Sequence, residues 1–583
     1  MKLNDKITDK IGEWTNSPYS EECISEIKKL VSDNNETELN ERFALDLDFG
    51  TGGMRGIIRN GSNGMNIFVV AKATQGLANY VKKSEISNPK AAIAYDSRRF
   101  SFEFAKEAAL VLASNGIKTY LFKELRPTPE LSFAIRYLGC TTGIVVTASH
   151  NPKEYNGYKV YWNDGAQVVA PHDKGIIEEV KKVLKLIDVK KENFDELVEK
   201  GMIEWIGENV DNAFIEEILK LNINKSVISK SKVKIVFTPL HGTGATLIPE
   251  ALKRLGFNDV TYVEKQMKAD SEFSTVIYPN PEEREALKLG TETAEKINAD
   301  IVIATDPDAD RMGIVVRDSD GKYDIITGNQ IGSIIEYYIL SKKKENNSIP
   351  ANAAIVKTIV TTNLQDEIAQ SFGVKVFNVL TGFKFIGQKI REFEDDNSYQ
   401  YIFGGEESYG FLCEDFVRDK DAVSACTMLA ETAAWAKDKG LTLYQLLQNI
   451  YVEYGFSKEA GISVVKKGKS GAEEIEAMMK HFRENPLTQI AGSNVTYVYD
   501  YATLKGLSVA ENEKITLDMP TTSNVIQYFT EDNTKVSIRP SGTEPKIKFY
   551  CEVHSKVKNL EELPAAELAA QEKINQIKIS LGI

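Results

Sequence analysis

Gly143-Ile-Val-Val-Thr-Ala-Ser-His-Asn-Pro152, continued to Lys159, is the stretch from which the fold can be read. The apolar run Ile144 to Val146 has the length and composition of a buried strand, and Asn151-Pro152 marks the turn that ends it. On that turn stand a hydroxyl, Ser149, and an imidazole, His150. An amine, Lys159, follows ten residues past the serine. Open α/β sheets place their ligand chemistry on loops at the carboxyl ends of strands, which is where these groups fall.

The same theme recurs outward in both directions. Ala91 to Tyr95 reads as a strand opening onto Asp96-Ser-Arg-Arg99, with a helical run from Phe102 to Asn115 after it. Lys234 to Phe237 runs into Thr238-Pro-Leu-His-Gly-Thr-Gly244, and Ile301 to Ala304 into Thr305-Asp-Pro-Asp-Ala-Asp-Arg311. Ala353 to Val356 starts another unit, and Tyr401 to Phe403 ends in Gly404-Gly-Glu-Glu-Ser-Tyr-Gly410. Strands alternating with helices predict mainly parallel, mixed sheets with helices on both faces. Residues 1 to about 48 are polar with helical spacing (Ile24, Ile27, Leu30, Val31), predicting an amphipathic helix ahead of the glycine-rich loop Phe49-Gly-Thr-Gly-Gly-Met-Arg-Gly56. Beyond about 455 the pattern changes to a helix, Gly471 to Phe482, and short alternating strands such as Val495 to Tyr499. The expected fold class is α/β: three related α/β domains (1–208, 209–327, 328–455) and a C-terminal α+β domain (456–583).

Composition narrows the function classes. The 583 residues carry 71 Lys+Arg against 84 Asp+Glu, a net charge of −13, which disfavours nucleic-acid or anionic-membrane binding. Any phosphate site must therefore gather its cations locally. The five cysteines are scattered without a C-x-x-C pair, as expected of reduced thiols rather than a disulfide framework or zinc site. The N-terminus lacks the apolar h-region of a signal peptide, and no apolar run approaches a membrane span, so a cytoplasmic protein is expected.

Asp306, Asp308 and Asp310 alternate just past a buried strand, where three carboxylates repel one another unless a cation sits among them. Oxygen-only ligands suit Mg²⁺. An EF-hand fails because its glycine position holds Arg311 and its closing glutamate position Arg317. Ser149 lies in no G-x-S-x-G elbow, and the chain has no G-x-x-x-x-G-K-[ST] loop. Alone, Ser149 reads as a turn hydroxyl, and the loop at 49–56 as a hairpin with a surface arginine, although glycines there would let Arg55 meet a phosphate closely. His172, His481 and His554 read as structural, and His241 stays open. Together the loops offer a hydroxyl nucleophile, a carboxylate metal site, a Glu-Glu-Ser loop suited to sugar hydroxyls and an Arg-Ser-Gly-Thr loop suited to a phosphate. That set points to phosphoryl transfer on a sugar phosphate.

In motif order, over nearly its whole length, the chain resembles the α-D-phosphohexomutases, which include phosphoglucomutases and phosphomannomutases. Thr147-Ala-Ser-His-Asn-Pro152 resembles their phosphoserine loop, which implies that Ser149 is phosphorylated at rest, with His150 or Lys159 as general base. Asp306-Pro-Asp-Ala-Asp-Arg311 resembles their metal loop, implying Mg²⁺ on the three aspartates and a Ser149 phosphate oxygen, with Arg311 toward the phosphoryl group or substrate. Gly405-Glu-Glu-Ser-Tyr-Gly410 resembles the sugar loop, with Glu406 and Ser408 on hexose hydroxyls. Arg539-Pro-Ser-Gly-Thr543 resembles the loop that holds the non-reacting phosphate through Arg539, Ser541, Gly542 and Thr543. Thr381, Gly382 and Lys384, Lys420 in Arg418-Asp-Lys-Asp421, and Thr51 in the N-terminal loop resemble further substrate-contacting positions, and Arg55 in that loop a catalytic one that stabilises charge on the phosphoryl oxygens.

The resemblance implies four domains around a central cleft, interconversion of hexose 1- and 6-phosphates, and glucose 1,6-bisphosphate as intermediate and activator. It implies no nucleic-acid or membrane partner, and a monomer or weak homodimer. Mannose-accepting members often end the sugar loop in Ser-Gly-His, whereas Ser408 here is followed by Tyr409-Gly410, which favours glucose. The alternatives are a mannose or pentose phosphate mutase on the same scaffold, or a non-catalytic sugar-phosphate sensor.

Overall fold

The computed structural model describes residues 3–50, 52–466, 468–541 and 546–583, with the side chains of 468 and 469 excepted. Thr51, Gly542 and Thr543, all expected at the site, lie outside the described residues. The chain divides into two compact units, Met1–Gly328 with Phe383–Gly440, and Asn329–Gly382 with Leu441–Ile583.

In the first unit a six-stranded sheet runs in the order Gly53–Ile57, Tyr155–Trp162, Thr142–Val146, Lys90–Tyr95, Lys118–Phe122, Ile203–Ile206. The last four strands are mutually parallel, while Tyr155–Trp162 and Gly53–Ile57 add antiparallel neighbours. Ile93, Ile144, Val146 and Val160 of this sheet are fully buried beneath the helices Ile67–Lys83 and Ser101–Ser114, as residues covered on both faces must be. A five-stranded sheet repeats the plan: Ile235–Thr238, Val260–Tyr262 and Ile301–Thr305 are parallel, and Met312–Arg317 and Tyr323–Ile326 complete it antiparallel. Gln400–Gly405 turns back antiparallel into Phe411–Leu412. Three strands therefore deliver loops that double back onto an antiparallel neighbour, and these are the loops at 147–154, 306–311 and 406–410.

The N-terminal segment differs from expectation. Where one amphipathic helix was predicted, three occur, Asp5–Trp14, Glu21–Ser32 and Glu36–Phe43, each begun by a capping side chain: Asn4, Ser20 and Asn35. Those caps interrupt what the apolar spacing alone reads as continuous.

In the second unit Ala353–Thr358 pairs in parallel with Lys375–Val379. Its C-terminal part is an antiparallel sheet in the order Phe456–Val465, Lys546–Ser555, Lys535–Pro540, Ile526–Thr530, Ser493–Asp500, Lys505–Ser508, Glu513–Thr516. The helices Gly468–Glu484 and Leu563–Leu581 pack on it, an α+β arrangement as predicted. Arg539 and Pro540 end one strand of this sheet, and the Ser541 amide donates to the Lys546 carbonyl. No helix among the described residues is long and apolar enough to cross a membrane.

Candidate active site

Each of the three doubling-back loops of the first unit carries a non-glycine residue in the left-handed region: Ser149 at φ 53°, Ala309 at φ 49° and Tyr409 at φ 65°. Such residues cost about 1–3 kcal/mol and persist where surroundings over-determine them, commonly at functional sites. Bonds between loops do this here. The Thr128 amide donates to the Asp308 carbonyl (2.9 Å), the Met312 amide to Tyr409 (3.0 Å) and the Ala422 amide to Ala309 (3.2 Å).

Ser149 is buried, and its Oγ donates to Asp306 Oδ2 at 2.6 Å while lying 3.2 Å from His150 Nδ1. All three aspartates are buried, and one ligand atom from each falls within 4.8 Å of the others. Asp308 Oδ2 accepts from Thr128 Oγ1 and from Lys159 Nζ, both at 2.9 Å. Lys159 is also 3.5 Å from Asp310, and Lys420 lies 3.1 Å from Asp310 and 3.0 Å from Asp419, whose other oxygen accepts from Tyr161 at 2.6 Å. Two ammonium groups therefore balance the aspartates. Asp308 Oδ1 and Asp310 Oδ1 remain buried without a hydrogen-bond partner. Orphaned carboxylate oxygens converging in an all-oxygen set are what a hard divalent cation requires, so the residues fit Mg²⁺.

Titration follows from this crowding. Burial, then the charges of Asp308 and Asp310, push the Asp306 carboxyl well up. Burial also raises Asp308, but the Lys159 ammonium and its hydrogen bonds outweigh it and the net shift is downward. For Lys159, burial opposes the charged form and Asp308 and Asp310 more than restore it. Burial, then repulsion from Arg311, drives the His150 imidazole well below its ordinary value, so it is neutral near pH 7.

The remaining expected residues are placed unevenly. Arg55 is exposed on Gly53–Ile57, whose register sets Arg55 opposite Gly157 and Gly53 opposite Lys159, so Arg55 and Lys159 share a face of the pair. Gly53 has φ 136°, and a Cβ there would run into the Tyr158 carbonyl, so the close approach needs glycine. Arg311 reaches Glu282 with Nη1 at 2.8 Å, and its Nε is buried without a hydrogen-bond partner. The loop at 406–410 closes through the Glu406 amide on the Gly410 carbonyl (2.8 Å), leaving Glu406 and Ser408 part-buried. Lys384 lies over the Phe385 ring, its Nζ 5.2 Å from the ring centroid. Thr381, Gly382, Arg539 and Ser541 belong to the second unit.

His241 is resolved as structural, its ring nitrogens held by the Lys268 carbonyl (3.0 Å) and Thr275 Oγ1 (2.8 Å). Sequence reasoning missed Thr128, Asp419, Tyr161 and Glu282, which act through other residues of the site. Only Asp419 had a signal, its place inside Arg418-Asp-Lys-Asp421.

The chain matches, in order, the phosphoglucomutase/phosphomannomutase alpha/beta/alpha domains I (residues 46–186), II (212–321) and III (327–454), and the C-terminal domain (496–570). It is 39% identical over 521 residues to a phosphoglucomutase of Staphylococcus haemolyticus, covering 89% of this chain and 92% of that one. The chain belongs to the phosphoglucomutase/phosphomannomutase family. A Staphylococcus aureus phosphoglucomutase is likewise 39% identical over 528 residues, 90% of this chain and 92% of the other. Among solved structures, the phosphoglucomutase pp63/parafusin of Paramecium superposes with a TM-score of 0.66 at 17% identity, covering 92% of this chain and 96% of its own. A family protein from Burkholderia thailandensis gives 0.64 at 18%, covering 92% and 97%. At those identities the structures speak for the fold. Membership makes the chain an enzyme, a sugar-phosphate mutase rather than a sensor.

Proposed function

We propose that the enzyme interconverts α-D-glucose 1-phosphate and glucose 6-phosphate through a phosphorylated Ser149 and glucose 1,6-bisphosphate. The observation that carries the reading is the single buried cluster joining the Ser149 hydroxyl, the aspartate triplet, Lys159 and His150. Relatives named phosphoglucomutase over nine-tenths of the chain support the choice of sugar, as does Tyr409-Gly410 at the end of the sugar loop.

In the forward direction the free 6-hydroxyl of glucose 1-phosphate attacks the phosphorus of phospho-Ser149. The new O6–P bond forms as the Oγ–P bond breaks, and the hydroxyl proton passes to the neutral His150 or to Lys159 in its neutral form. The bisphosphate turns over, Ser149 Oγ attacks the phosphorus at C1, the C1 oxygen takes back the proton, and glucose 6-phosphate leaves a rephosphorylated enzyme. Asp306, Asp308 and Asp310 with a Ser149 phosphate oxygen would hold Mg²⁺, which supplies charge neutralisation for the transferring phosphoryl group. Arg55 and Arg311 add cationic donors, Glu406 and Ser408 orient the sugar, and Arg539 and Ser541 bind the phosphate that is not reacting.

The test is a coupled assay with glucose, mannose and ribose 1-phosphates, with and without glucose 1,6-bisphosphate, on the wild type and Ser149→Ala. Glucose 1-phosphate should be preferred and the variant inactive. Mutase activity surviving in Ser149→Ala would overturn the phosphoserine route, and a preference for another sugar would overturn the assignment of substrate.

A further inference from the structure

The loop Asp96-Ser-Arg-Arg99 follows the strand Lys90–Tyr95, which is the parallel neighbour of the strand leading to Ser149. Arg98 is one of the most enclosed charges in the molecule, its side chain and that of Asp96 being fully inaccessible. Its guanidinium lies against four backbone carbonyls, three of the Ser149 loop and one of the strand that follows it. Nη2 donates to Ser149 and, at 2.5 Å, to Asn151, and Nη1 donates to Pro152 at 2.8 Å and Tyr155 at 3.1 Å. Nε pairs with Asp96 Oδ2 at 3.2 Å, and the buried Phe273 ring stands 5.0 Å from the guanidinium carbon.

The other peptide group of Ser149 leads to the same pair. The Ser149 amide donates to Thr147 Oγ1 (2.8 Å), and Thr147 Oγ1 donates to Asp96 Oδ2 (2.6 Å). Asp96 is fixed in turn by Ser101 Oγ (2.7 Å) and by the Arg98 amide (2.9 Å). A closed ring results: Ser149 amide, Thr147 hydroxyl, Asp96 carboxylate, Arg98 guanidinium, Ser149 carbonyl. Both peptide groups flanking the Ser149 side chain are gripped, and the residue sits at φ 53°, a conformation it would not hold unaided.

We infer that Asp96, Arg98 and Thr147 are positioning residues that impose the left-handed conformation of Ser149 and so aim its Oγ between Asp306 and His150. The inference rests on the phosphoserine reading above. A phosphoryl carrier must give its phosphoryl group to one oxygen of the sugar and take one back from another, so its aim is set by the backbone beneath it. Lysine cannot substitute at Arg98, because one ammonium has neither the fork geometry nor the donors to span four carbonyls and a carboxylate. The grip needs no contact with substrate, so its loss falls on kcat rather than KM.

The experiment uses the Mg²⁺-loaded enzyme and compares wild type, Ser149→Ala, Arg98→Lys, Thr147→Val and Arg99→Lys. Arg99 is the half-exposed neighbour that pairs with Glu272, and its variant serves as the surface control. Displacing a reacting atom by about 1 Å costs on the order of 100-fold. Arg98→Lys should therefore lose about 100-fold in kcat with KM for glucose 1-phosphate within threefold of wild type, and Thr147→Val about 10-fold. Phosphoryl uptake by the dephosphorylated enzyme from glucose 1,6-bisphosphate, followed by intact mass, should slow in parallel, while the Mg²⁺ concentration for half-maximal rate stays put. A purely packing role would lower the melting temperature without slowing uptake by the folded fraction. Wild-type kcat in folded Arg98→Lys, or a loss expressed only in KM, overturns the inference. If Arg98→Lys does not fold, Thr147→Val decides it, and an unchanged uptake rate there overturns it equally. Activity in Ser149→Ala would instead refute the phosphoserine reading beneath it.

Discussion

Replacing Lys535 by methionine tests what seats the sheet that carries Arg539. Lys535 opens the strand that ends at Arg539-Pro540, and its side chain is 4% exposed, as is that of Glu552, 2.8 Å away. Lys535 Nζ also donates to the Thr361 carbonyl and to Asn363 Oδ1, both at 2.8 Å. Glu552 Oε1 accepts from Thr362 Oγ1 (3.1 Å) and the Asn363 amide (2.7 Å). Gln527 adds a bond to the Ile359 carbonyl at 2.7 Å, so three side chains of the C-terminal sheet grip the turn 359–363. Methionine keeps the bulk and removes the charge, leaving Glu552 buried without its direct ion-pair partner, and breaking a buried pair on one side typically costs about 3–5 kcal/mol. At about 1.4 kcal/mol per decade, opening of this sheet becomes roughly 10²- to 10⁴-fold more frequent. Hydrogen-exchange mass spectrometry of peptides covering Ile526–Thr530 and Lys546–Ser555 reads that directly. Glu552→Gln added to Lys535→Met should restore most of the protection, because the glutamine oxygen can still accept from Thr362 and Asn363 with no charge to strand. Exchange within tenfold of wild type in Lys535→Met, or a double variant as labile as the single one, would refute the buried-charge argument.

Three further outcomes follow from the same geometry. Thr128→Val keeps shape and the backbone bond to Asp308 but removes the hydroxyl that orients its carboxylate, so half-maximal activity should need about tenfold more Mg²⁺ with KM for sugar phosphate unchanged. Lys159→Met and His150→Asn should separate the candidate bases: general-base catalysis is worth about 10²–10⁴-fold, and the variant that loses it identifies the proton acceptor in single-turnover transfer. Burial, then the neighbouring Glu552, raise Glu459 from 4.5 to about 7. A carboxyl raised on folding stabilises the protein below its unfolded value and loses that contribution as pH climbs through the folded one. Between pH 5 and 8.5 the melting temperature of the wild type should therefore fall relative to that of Glu459→Gln, and parallel curves would dismiss the effect.

The parts of this enzyme legible in its sequence are those whose chemistry is local. A buried strand followed by a hydroxyl, by alternating carboxylates or by a Glu-Glu-Ser loop states its elements within a dozen residues, and the structure gathers Ser149, His150, Lys159, Asp306, Asp308, Asp310 and Lys420 into one network. What stayed hidden is non-local. Thr128 meets Asp308 across 180 positions, and Lys535 meets Thr361 across 174, separations at which nothing in either segment announces the other. The three-helix N-terminus was hidden for the opposite reason, since its apolar spacing masks the short caps at Ser20 and Asn35.

Backbone strain marks the deeper limit. Glycines draw the eye to loops, yet the left-handed positions in the three loops of the first unit are Ser149, Ala309 and Tyr409. At Ser149 glycine would relieve the strain and delete the proposed nucleophile, so the conformational cost, about 1–3 kcal/mol, has to be met by neighbours. Asp96, Arg98 and Thr147 are those neighbours, and in sequence they read as an ordinary polar turn and a strand end. The residue proposed to carry the phosphoryl group is therefore written in one loop and its aim in another. A substitution at Arg98 should silence Ser149 without touching any atom of the substrate.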